Sequence, residues 1–167
     1  TINPSSLDAL ALLAGLAYVE DKQPEYQQHV AKVQAIAPND GEVFRVAGDL
    51  AAHNYRFDEA VTLARRAMGV KPRDPRVLSD LGVHLLRTGD EPGARTVLET
   101  SFEIEPFNIV TYNLLQMMDT LDKFVVETSG DLILKFHPDE APVMREYAIP
   151  LAHDALKSLS AKYQITL

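Results

Sequence analysis

The 167-residue sequence contains no cysteine. That excludes disulfides, thiolate metal sites, zinc fingers and cysteine nucleophiles. It has no tryptophan, and aromatic residues make up only 7%. It has no long apolar run either. The nearest, 7–19, is broken by Asp8 and Gly15 and falls short of the roughly 18 residues that a membrane span requires. No basic leader precedes it, so it does not read as a signal peptide. Positive charge is scarce, with 16 basic against 24 acidic residues and a net charge of -8. A nucleic-acid or anionic-lipid surface calls for the opposite sign, so neither is expected as a partner. Thr1 stands where an initiator methionine would, which reads as a segment of a longer chain. What remains is a globular composition, 46% hydrophobic and 24% charged, with a mean hydropathy of -0.10. It suits one domain or a short repeat array and points to no particular compartment.

The prolines supply the first positive signal. Pro4, Pro38, Pro72 and Pro106 stand 34 residues apart. Proline is 10 of the 167 residues, so chance produces such a series at about the 2% level once starting points and trial periods are counted. Independent support comes from stacking 7–40, 41–74 and 75–108. The fourth place holds Leu10, Phe44 and Leu78, and the seventh Leu13, Ala47 and Leu81. The eighth holds Ala14, Gly48 and Gly82, all small, as a close helix crossing demands. The eleventh has Ala17, Ala51 and Leu85, and the twentieth Tyr26, Ala60 and Ala94. Apolar or small residues return at the twenty-fourth, twenty-seventh and thirtieth places, and the last (Ile36, Val70, Ile104) comes shortly before each proline. Proline cannot donate to the helix and restricts the residue before it, so it ends the second helix of each block.

This pattern, with "DEAVTLARRAMGVKPRD" and "LGVHLLRTGDEPGARTVLETSFEIEP" in phase, resembles the tetratricopeptide repeat. The resemblance implies a mainly α fold, an α-α superhelix of helix pairs over 1–122, with repeats about 7–40, 41–74 and 75–108 and a partial one at 109–122. The expected helices are 7–20, 24–37, 41–54, 58–71, 75–88, 91–104 and 108–121. Pro24, Pro75 and Pro92 fall in first turns, where proline is tolerated. Asp58 and Asp90 read as helix starts and Gly89 as a left-handed stop. The aromatic that the repeat carries at its eleventh place is absent, and Tyr26 replaces a small residue.

After Leu121 the period changes. Segments 124–128 and 132–136 are rich in Val, Ile, Leu and Phe around Ser129-Gly130-Asp131, the signature of a β-hairpin. A helix then starts near Asp139. Val143, Tyr147, Leu151, Ala155, Leu159 and Tyr163 form an apolar stripe at spacings of four, and Pro150 inside it predicts a kink. An isolated hairpin is marginal in water, so it must lean on this helix or on the last repeat. The closing "YQITL" reads as the entry to a further strand. Residues 123–167 are thus a hairpin plus helix, the truncated start of an α/β domain. "LDKFVVETSGDLILKFHPDEAP" and "YAIPLAHDALKSLSAKYQI" are similar to the start of a gluzincin, the zinc-metallopeptidase-like domain that follows tetratricopeptide repeats in one bacterial group. The alternative function implied is the non-catalytic front of such a protein. The H-E-x-x-H motif is absent: none of His29, His53, His84, His137 and His153 is followed by glutamate, and no catalytic residue carries over.

No other chemistry gathers. The histidines do not cluster with carboxylates at ligand spacing, and His84 reads as a satisfied, partly buried side chain. There is no G-x-S-x-G or S-x-x-K, and the glycines are scattered singly rather than gathered in a phosphate loop. Glu99, Glu103 and Glu105 read as a solvated face. No cofactor, metal or catalytic residue is therefore expected, and the chain does not read as an enzyme. Residues 41–74 carry six basic and five acidic residues, whereas the other blocks are each acidic. Arg65 and Arg66 of that block fall on a second helix. In the tetratricopeptide family the partner lies along the first helices, which implies a groove of Arg45, Asp49, His53, Arg76, Ser79, Val83, Arg87, Asn113 and Met117, with Glu42, Ala52, Leu86, Val110, Thr120 and Leu121 beside them. Arg45, Arg76 and Arg87 would take carboxylates of a peptide. Asp49 and Val83 depart from the family's chaperone-tail clamp. The expected function is a scaffold holding a peptide or protein segment. The competing expectations are a groove filled by residues 124–167 and a homo-oligomer formed through exposed helix faces.

Overall fold

The computed structural model describes residues 5–165. Pro4 and the end of "YQITL" lie outside them. Seven helices come first: α1 (Leu7–Val19), α2 (Gln23–Ile36), α3 (Glu42–His53), α4 (Phe57–Val70), α5 (Pro75–Arg87), α6 (Glu91–Ile104) and α7 (Ile109–Leu121). Strands β1 (Val125–Ser129) and β2 (Leu132–Phe136) and helix α8 (Ala141–Tyr163) follow. The architecture is mainly α, a repeat-like series of helix pairs, then a hairpin and a long helix. The chain divides into two compact units, one ending at Leu115 and the other starting at Gln116.

Each repeat junction is made the same way. Ala37, Lys71 and Glu105 end α2, α4 and α6 with φ near -130° to -140° and ψ near 80°, the extended region that a following proline enforces. Three residues on, Asp40, Asp74 and Asn108 donate their amides back to the carbonyls of Ala37, Lys71 and Glu105 at 3.1–3.3 Å. Their side chains then cap the next helix: Asp40 accepts from the amide of Glu42, Asp74 from Arg76 and Val77, and Asn108 from Val110 and Thr111. One proline and one Asx residue thus turn the chain and start the next helix. Asp90 caps α6 as expected, through the amide of Gly93 at 3.0 Å. Asp58 instead lies inside the first turn of α4, whose cap position is Arg56.

The core of the first unit joins Leu10, Phe44, Ala47, Ala51, Tyr26, Val30, Leu63 and Val77. The small eighth place does what close crossing requires. A Cβ on Gly82 would lie 2.5 Å from Leu98, and one on Gly48 would meet Leu63 and the carbonyl of Ala60. Tyr26 is fully buried, edge-on to Tyr18 at 5.0 Å, with Arg66 donating to its hydroxyl at 3.4 Å. Two expected core positions differ: Leu13 and Ile36 are exposed. Both belong to the first block.

In the second unit β1 and β2 pair antiparallel, Val125 opposite Phe136 and Ser129 opposite Leu132, around Gly130 at φ +60°. Glu127 and Ser129 meet α8: Arg145 donates to Glu127 at 3.1 Å, and Ser129 hydrogen-bonds His153 at 2.9 Å. Helix α8 runs through Pro150, which removes the bond to the Glu146 carbonyl. Its half-buried positions are Ala148, Ile149, Ala152, Leu156 and Ser160. The stripe Val143, Tyr147, Leu151, Leu159 and Tyr163 is exposed, so the hairpin leans on the opposite side of this helix. The fourfold spacing is real, but spacing alone does not say which side of a helix is covered.

Candidate peptide groove

A cavity of about 220 Å³ opens between α3, α5 and the start of α7. Its lining is Arg45, Arg76, Ser79, Asp80, Val83, Asn108 and Val110. Four of the sequence-predicted groove residues, Arg45, Arg76, Ser79 and Val83, therefore come together, joined by Val110 from the flanking set.

The chemistry differs from what the sequence alone predicts. Arg45 is not a free cation. Its Nε donates to Glu42 at 2.9 Å, its Nη2 donates to the same carboxylate, and its Nη1 donates to Asp49 at 3.0 Å and Asp80 at 2.9 Å. Three carboxylates surround one guanidinium. The hydrogen bonds that Arg45 donates to Glu42 raise its pKa, against the cost of burial, so the group stays charged and committed. Burial pushes the Asp80 carboxyl above the usual carboxylate range, with the charge of Asp49 adding to the rise and Arg45 opposing it. His84 is buried, with Nε2 3.5 Å from Asp49. Its Nδ1 has no hydrogen-bond partner among the described residues, so this histidine is buried but not satisfied.

Arg76 is the arginine left to the cavity. Its side chain is 63% exposed and stands only loosely beside Asp74, at 3.7 Å. Ser79 is buried and accepts from the Thr111 hydroxyl at 3.0 Å, tying α5 to α7. Val83 and Val110 supply the apolar wall. The remaining expected residues do not line the cavity. Asp49 backs Arg45, and His53 is exposed with Nδ1 2.7 Å from the Asp49 carbonyl. Arg87 lies over the Phe57 ring at 5.7 Å. Asn113 and Met117 are exposed on α7. Ala52 is buried and belongs to the core instead of the groove. Arg65 stands 3.9 Å from Asp90 and Arg66 covers the Phe44 ring at 4.2 Å, both on α4. The residues that sequence reasoning missed are Asn108, the junction cap before α7, and Asp80. The signal for Asp80 was an opposite charge 35 residues after Arg45, one repeat on and one place over. Among the described residues no group of three or more His, Asp or Glu is placed to hold a metal ion, and no helix is long and apolar enough to cross a membrane.

No family model matches the sequence. No curated protein matches it either. Solved structures do match, at the level of fold. The first tetratricopeptide domain of human RPAP3 aligns with a TM-score of 0.54 at 16% identity, over 70% of this chain and 92% of that one. MamA aligns with a TM-score of 0.52 at 16% identity, over 98% of this chain and 84% of its own. The Thermobaculum terrenum O-GlcNAc transferase aligns with a TM-score of 0.52 at 22% identity, over 72% of this chain. The chain spans only 24% of that transferase. The repeat series therefore has the tetratricopeptide fold, as its period implies. The gluzincin likeness of residues 123–167 finds no support in these structures.

Proposed function

We propose that the first-helix face of the array holds a segment of another protein, anchored in the cavity between α3, α5 and α7. The cavity itself carries the reading: its apolar wall, Val83 and Val110, suits an apolar side chain, and Arg76 stands exposed at its lining. Clefts that combine apolar walls with a few polar groups are the usual form of a binding site. Support by analogy comes from the first repeat domain of Spaghetti, a structure with a TM-score of 0.54 that is bound to the HSP90 peptide SRMEEVD. That acidic peptide is not the expected ligand here, because Arg45 already serves Glu42, Asp49 and Asp80.

The test is selection from a display library of random 12-residue peptides, followed by fluorescence polarisation of the winners. Val83→Asp is expected to weaken a selected peptide about tenfold or more, since it places a charge on the apolar wall. Arg76→Ala is expected to weaken peptides carrying a carboxylate. Labelled SRMEEVD should bind no better than its scrambled form. A library that returns only background, or winners indifferent to both substitutions, would sink the reading.

A further inference from the structure

The cavity between α3, α5 and α7 has one carboxylate in its lining, Asp80. Its Oδ2 accepts from Arg45 at 2.9 Å, and no other hydrogen bond reaches this carboxyl among the described residues. An ionised carboxylate has room for several donors, so Asp80 is left short of them. Arg45 cannot make up the difference. Its Nη1 is divided between Asp80 and Asp49, while its Nε and Nη2 both serve Glu42. Three carboxylates thus share one guanidinium, an excess of two negative charges on that side of the cavity. The ring of His84, 3.5 Å from Asp49, adds a positive charge only when protonated. Arg76, the other arginine of the lining, is 63% exposed and stands beside Asp74, so water screens its charge and a carboxylate offsets it. Burial raises the Asp80 carboxyl, the mark of a charge that has lost water without gaining enough partners. Val83 lies one turn along α5 from Asp80, and both line the cavity. Apolar wall and under-bonded carboxylate are therefore neighbours.

We infer that the segment held in this cavity is basic: a Lys or Arg side chain donates to Asp80 while an apolar residue close to it in the segment packs on Val83 and Val110. This rests on the reading of the cavity as a peptide site and specifies the chemistry of its ligand. A cationic donor meets all these conditions together. It supplies hydrogen bonds that Asp80 lacks, offsets the excess negative charge, and replaces water lost from a partly buried carboxylate. An acidic residue in its place meets Asp80 with like charge and finds every side-chain nitrogen of Arg45 already donating. An uncharged polar residue donates more weakly. The net charge of -8 also draws basic partners toward the chain at long range.

The peptides selected from the random library are the probe, measured by fluorescence polarisation on the whole chain. Winners that depend on Val83 should carry Lys or Arg within a residue or two of an apolar side chain. Replacing that lysine by norleucine, or that arginine by citrulline, removes the charge and keeps the stem, and should weaken binding about tenfold. Asp80→Asn should weaken the parent peptide by a similar factor and leave the uncharged analogue unchanged, a difference that a merely structural role for Asp80 would not produce. Arg76→Ala should tighten the parent about twofold, since it removes a like charge. Melting temperatures of both variants check the fold. If Asp80→Asn does not fold, the sign of the Arg76→Ala effect decides: tighter binding upholds the proposal, and weaker or equal binding overturns it. Val83-dependent winners that are acidic or uncharged overturn it while leaving the cavity as a peptide site. Equal losses for parent and analogue on Asp80→Asn do the same. A library that returns only background removes both readings.

Discussion

Asp21, Tyr55 and Gly89 stand 34 residues apart, each just after the first helix of its block, with φ of 59°, 61° and 82°. Glycine meets this left-handed geometry freely, whereas Asp21 and Tyr55 adopt it at a steric cost of about 1 kcal/mol each. Only Gly89 announces itself in the sequence. The other two are visible only through the period, because tyrosine has no left-handed preference and that of aspartate is too weak to mark a turn by itself. Tyr18 shows a second kind of hidden residue. Its hydroxyl donates to Glu59 at 2.6 Å, and Arg56 lies over its ring at 5.1 Å. Burial, then the bond to Glu59, pushes the phenol up to about 12. A group whose folded pKa is raised contributes stability that is present below its unfolded value and lost as pH rises through its folded value. Unfolding midpoints in urea should therefore fall between about pH 10 and pH 12. Tyr18→Phe should flatten that fall while lowering the neutral-pH midpoint. An unchanged alkaline slope in the variant would assign the fall to other groups.

At the scale of the element, the junction is where sequence and structure agree most closely. Pro38, Pro72 and Pro106 lie in three turns of the same form, followed by Asp40, Asp74 and Asn108 as caps. Local steric rules decide all of this, so the helix limits follow from the sequence within a residue or two. The crossings are also local in origin: a side chain at Gly82 would strike Leu98, which has no exposure and cannot swing away. Gly82→Val should cost about 1–3 kcal/mol through overpacking, read as a lower melting temperature with unchanged helix content below it. A variant that melts with the wild type would show α5 and α6 to be less tightly opposed. The reach of Arg45 is of another kind. Which of its neighbours a surface arginine embraces depends on how α3 and α5 stack, and no local rule in the sequence contains that.

At the scale of the molecule, the two units differ in how much they bury. The first holds nearly all the fully buried apolar side chains, whereas Phe136 and Ala141 are the only ones described after Met118. Local stability follows buried apolar contacts, so amides of β1, β2 and α8 should exchange with deuterium faster than those of α3 to α5. Equal protection throughout would contradict that. The apolar stripe of α8 illustrates the limit of pattern reading, because its spacing is plain in the sequence while its exposure is not. The same holds for Leu13, which matches Ala47 and Leu81 in register yet lies open where they are covered. The sequence by itself determined the 34-residue period, the seven helices, the turns between them and the hairpin, because these rest on backbone sterics and periodicity within a few residues. Tertiary structure alone decided that Arg45 is spent on Glu42, Asp49 and Asp80, that Asp80 and Asn108 complete a cavity, and that Leu12, Leu13 and Leu16 of α1 are exposed among the described residues. Each of those depends on distances between helices far apart in the chain, which packing sets and no local pattern encodes.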